Sequence, residues 1–138
     1  MVDDPRRGKR RERGSASVEL AVLLPVVFLL LLGVVDFGRA SWTKNALSNI
    51  AREATRYASV RSVRSQDPAT SAKVAGMVVG QAGPLDPDLL AVTTNWTPTN
   101  QPGNVVQVGL TYPFEPIVPL FGIESIELSS SSQMIISY

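Results

Sequence analysis

The sequence contains no cysteine and no histidine. The first absence excludes disulfides, so any exported part of the chain must hold together by core packing. The second removes the commonest metal ligand and the commonest general base, which weighs against metalloenzyme and hydrolase readings. There is also no P-loop, no GxSxG and no Cys/His metal spacing. Asp86 and Asp88 form an Asp-Pro-Asp pair with no base or nucleophile nearby in the sequence. The expectation is a protein that is not an enzyme, with no cofactor, no metal and no small-molecule substrate.

What the chain does have is a charged leader before an apolar run. At 138 residues there is room for one ordinary domain besides a membrane helix. The net charge of +1 hides an asymmetry: residues 1–14 hold six Lys/Arg against three acids, while residues 15–138 hold seven against nine. The basic block stands directly before the apolar run Leu20 to Val35. That order predicts a cytoplasmic N-terminal flank and an exported remainder. The block also fits a nucleic-acid patch, but its position favours the membrane reading, and no nucleic-acid partner is expected.

Glu19 is the informative residue. The run between Glu19 and Asp36 is 16 residues long, only about 24 Å of helix. A hydrocarbon core is roughly 30 Å thick and needs about 20 residues. Ala16, Ser17 and Val18 must therefore join the span, which draws Glu19 into or beside the apolar layer. An isolated charge there costs several kcal/mol unless it is paired or protonated. Glu19 calls for a partner.

Three fates fit such an N-terminus. A secretory signal would be cut after the run, with Gly38 and Ala40 as the small residues and Ser41 as the new terminus. Acids among the leader arginines, and Glu19 itself, are unlike such signals. An uncleaved anchor explains the span but leaves Glu19 without a purpose. The third fate is cutting after Gly14, so that the mature chain begins Ser15-Ala16-Ser17-Val18-Glu19. Glycine lets the backbone approach a protease closely.

A short basic leader ending in Gly14, with Glu19 five residues on, resembles a type IV prepilin. Three further stretches narrow the likeness: Ser17-Val18-Glu19-Leu20-Ala21 with Pro25, Asp36-Phe37-Gly38-Arg39, and Asn45 to Ala58. Together they are similar to the TadE-like proteins, minor pseudopilins of tight-adherence (Flp/Tad) pilus systems. Val106 to Phe114, the Pro116-Pro119 loop and the Ser-rich last strand are also similar, whereas Ser65 to Pro102 is not diagnostic. The resemblance implies a structural or assembly component of a Tad-type pilus. It implies cleavage between Gly14 and Ser15 by a prepilin peptidase, and Glu19 pairing with the terminal amine of a neighbouring subunit. Its implied partners are that peptidase, other pilin or pseudopilin subunits, the pilus assembly platform and the membrane. Leu20 stands where related major pilins favour tyrosine, which points to a minor component. The alternative is an uncleaved single-pass adhesin or envelope interaction module.

The expected fold is α+β, with residues 1–14 as leader, 15–36 as the membrane part of a long helix and 37–138 as an exported head. Leu47, Ile50, Ala51, Ala54, Tyr57 and Ala58 recur at helical spacing. No proline interrupts residues 26–67. One helix from about Ala16 to about Val63 would be roughly 70 Å long. Pro25 removes one hydrogen bond and should bend or loosen it locally. Asp67-Pro68 reads as an N-cap and first-turn proline of a short helix ending near Gln81. Leu90, Val92, Thr94 and Trp96 share one strand face, and Val106, Val108, Leu110 and Tyr112 share the next, across a Gln101-Pro102-Gly103-Asn104 turn. Ile126, Leu128, Met134, Ile136 and Tyr138 share a parity in a third. Phe114 to Ile123 is an apolar connection. Its Ile117, Leu120 and Phe121 are expected to cap the core, with a membrane-surface or partner contact as the other possibility.

Overall fold

The computed structural model describes residues 6–118 and 124–137, with side chains from residue 16 onward. Helix α1 spans Arg6–Ser59 and α2 spans Ser71–Gly80. A single 3₁₀ turn, Pro87–Leu89, leads into strands β1 (Ala91–Thr97), β2 (Val105–Phe114) and β3 (Ile126–Ile135). This is the expected α+β plan of one long helix, a short helix and three antiparallel strands.

The second half of α1 is helical because its apolar residues fall on one stripe that the sheet can cover. Leu47, Ile50, Ala51, Ala54 and Ala58 are all buried, and Tyr57 packs at the edge of the same core. The helix stops at Ser59, short of the expected Val63, because the backbone groups beyond it bond elsewhere. Ser137 donates its N–H to the Ser59 carbonyl at 3.0 Å, and Val63 donates to the Asn100 carbonyl at 2.9 Å. Asn100 Nδ2 in turn donates to the carbonyls of Arg61 (3.1 Å) and Ala69 (3.2 Å). One amide thus ties the end of α1 to the approach to α2.

That approach corrects the expected start of the short helix. Ala69 is buried and its N–H goes to the Arg61 carbonyl at 2.9 Å, which holds this stretch out of a helical turn. The cap is Thr70, whose hydroxyl accepts from Lys73 N–H. Asp67 pairs with the Lys73 ammonium instead. That neighbour holds its carboxyl below the usual aspartate range.

The sheet runs in the order β1-β2-β3, so β2 is central. Register pairs Val92 with Leu110, Trp96 with Val106 and Leu110 with Ser130. The inward parity matches expectation: Val106, Val108 and Leu110 are buried, while Val92, Trp96, Tyr112 and Leu128 pack around them. Tyr138 lies outside the described residues. The β1–β2 turn needs Gly103, which sits at φ +88° and donates to the Ile136 carbonyl at 2.8 Å.

Helix α1 lies across β2 and β3, and α2 across β1. Where α1 meets β3 both surfaces are small: alanines 51, 54 and 58 on the helix, serines 130 and 132 on the inward parity of the strand. Thr55, fully buried, donates its hydroxyl to the Ala51 carbonyl at 2.7 Å, with the Ser132 carbonyl also within 3.3 Å. The hydroxyl is therefore satisfied inside the core.

Candidate functional site

The head leaves the first half of α1 uncovered. Every large apolar side chain from Val18 to Val35 except Leu32 is at least 48 % exposed. A helix apolar on all sides is a buried or a membrane helix, and residues 16–31 are exposed along their whole length among the described residues. Burying each such side chain is worth about 1.5–3 kcal/mol, so leaving the whole run in water would cost on the order of tens of kcal/mol. Lipid is the environment its length and composition fit.

Glu19 stands exposed at the start of this run, with no hydrogen bond or ion pair among the described residues. The backbone is helical through Gly14 and Ser15, whose side chains are not described. Helix α1 also runs through Pro25. Gly14, Ser15, Glu19 and Pro25 follow one another along a single helix. Among the described residues none of these brings a partner to Glu19.

The exit from the span is organised by residues that pattern reading did not single out for a role. The Asp36 carboxylate accepts from Ile117 N–H at 2.9 and 3.0 Å and from Val118 N–H at 3.3 Å. Arg39, one turn on, donates to Asp36 at 3.0 Å and lies over the Phe114 ring at 5.2 Å. This collar ties residues 114–118 to α1 directly above the apolar run. Only proximity in space reveals it, because the partners are 81 and 82 positions apart. Ile117 does not cap the core as expected: it is 53 % exposed, whereas Phe114 takes the buried place. Leu120 and Phe121 lie outside the described residues. A cleft of about 590 Å³ adjoins the collar, lined by Gly38, Trp42, Leu89 and Glu115 among others.

Asp36→Ala should free the loop without unfolding the head, since the core lies on the other side of Phe114. The expected result is faster amide exchange at Ile117 and Val118, with protection at Val106 and Val108 unchanged. Equal loss at all four positions would refute a local clamp.

These features define a single-pass membrane anchor carrying a small α+β head. A family model described as TadE-like protein matches residues 14–56, the segment in which most of the sequence resemblance lies. It takes in the exposed apolar half of α1, Glu19, Asp36 and Arg39 on the helix side of the collar, and most of the core stripe. Searches of curated proteins and of solved structures return no match.

Proposed function

We propose that this chain is a structural component of a Tad-type pilus, a minor pseudopilin cut after Gly14 and assembled through its N-terminal helix. The observation that carries the proposal is Glu19: a carboxylate with no partner among the described residues, at the lip of a lipid-length run, five residues after a glycine, inside the segment that matches the TadE-like family. An amino terminus freed at Ser15 on a neighbouring subunit would supply the missing positive group. Glu19 and that amine then desolvate together, which a lone carboxylate cannot do. The basic leader faces the cytoplasm, the head lies outside, and the partners are a prepilin peptidase, other pilin subunits and the assembly platform.

The peptidase must reach a bond that is helical in the free chain. Gly14 makes that easier, since a mid-helix glycine costs about 1 kcal/mol relative to alanine and leaves no side chain in the way. Gly14→Val should keep the leader attached in cells carrying the peptidase, so the membrane-extracted protein would retain residues 1–14. A shortened product from that variant would rule out processing at this bond. The continuity of α1 from Arg6 through Ser15 favours one rival, an uncleaved anchor presenting the head as an interaction module.

A further inference from the structure

Resting on the reading of residues 16–35 as a bilayer span, we propose that the head is seated on the membrane, with Phe37, Trp42 and Ile117 in the phospholipid headgroup layer. The levels along α1 carry this inference. A span of 20 residues from residue 16 ends at Val35 and matches the roughly 30 Å hydrocarbon thickness. Phe37 then lies about 3 Å above that boundary and Trp42 about 10 Å above it. Helical side chains tilt toward the N-terminus, here toward the lipid, so the Trp42 indole reaches down into a headgroup layer about 5–8 Å deep. Ile117 reaches the same level by another route, because its N–H is bonded to Asp36.

The head does not use these side chains for itself. Phe37 is 75 % exposed, Trp42 52 % and Ile117 53 %, while their neighbours Thr43, Leu47 and Phe114 are buried. Tryptophan with one polar atom on an apolar body suits the membrane interface. The charges at this level are acidic on balance. Asp36 is met by Arg39 and two backbone N–H groups, whereas Glu115 is joined at the same end of the sheet by the exposed Glu124 and Glu127, since Phe114 pairs with Ile126 and Pro113 with Glu127. Anionic lipid therefore has no attraction to add, and zwitterionic headgroups suffice. Seating of this kind fixes the tilt of the head on its anchor and holds the subunit against the bilayer before any assembly.

The chain has no cysteine, so single-cysteine variants can be spin-labelled in the full protein reconstituted into phosphatidylcholine vesicles. Ile117→Cys and Phe37→Cys probe the seat. Leu30→Cys probes the span, and Val63→Cys probes the head beyond the end of α1. Relaxation by oxygen is compared with relaxation by a water-soluble nickel chelate. Positions 117 and 37 should show an oxygen-to-nickel ratio several-fold above position 63 and below position 30, with no anionic lipid in the vesicle. A ratio at 117 and 37 equal to that at 63, with position 30 still in lipid, overturns the seating and leaves the span intact. A water-like ratio at position 30 removes the span and the seating with it. Shielding of 117 from both reagents that is lost on dilution assigns the surface to a second copy of the chain and also overturns the proposal.

Discussion

Glu19→Ala is expected to abolish assembly while leaving membrane insertion and leader removal intact. The substitution makes the span more apolar, so insertion cannot suffer. It does not touch Gly14 or Ser15, so the proposed cleavage site is intact. What it removes is the carboxylate proposed to answer a neighbour's terminal amine in lipid. Breaking one side of a buried ion pair costs about 3–5 kcal/mol, because the remaining charge is left uncompensated. At about 1.4 kcal/mol per decade, subunit affinity at that contact falls more than a hundred-fold. Pilus number and length by electron microscopy, set beside the mass of the membrane-extracted subunit, read both halves. A Glu19→Ala strain with a normal count of normal-length pili would remove the pairing role.

The second large effect falls on stability. Leu110 is 1 % exposed on the central strand, opposite Val92 on one side and Ser130 on the other. Leu→Ala at such a site costs about 2–5 kcal/mol, from lost burial and the cavity left behind. Domains of this size are stable by only about 5–15 kcal/mol, and each kcal/mol shifts Tm by roughly 4–8 °C. Leu110→Ala should therefore lower the melting temperature of the head by roughly 10 °C or more. Ile135→Ala is the matched control, since Ile135 is 67 % exposed on the outer face of β3 and such changes stay within about 0.5 kcal/mol. Equal shifts for the two variants, followed by circular dichroism in detergent, would show that the core is placed wrongly here.

Elements whose pattern is local were legible in the sequence. The stripe from Leu47 to Ala58 and the alternation from Val106 to Leu110 predicted which side chains are buried, because period and burial are linked directly. Boundaries set by long-range bonds were not legible. Asp67-Pro68 has good capping chemistry, yet Ala69 is held by Arg61 and the cap passes to Thr70. The end of α1 moved to Ser59 because its carbonyl is taken by Ser137. The collar at Asp36 was the largest omission. An acid after an apolar run reads as a membrane boundary, and nothing local announces that its oxygens hold the backbone of Ile117 and Val118. Glu19 stands out for the opposite reason. Its cost is set by the apolar residues beside it, so the expectation of a partner arises from the local sequence alone.

Intact-mass and N-terminal sequencing of the protein extracted from membranes of cells that build the pilus bear most directly on the proposed function. A mature chain beginning at Ser15 is the predicted result. A chain that still begins at or near Met1 in assembled appendages would contradict it, and a terminus at Ser41 would show a secreted head released from its helix.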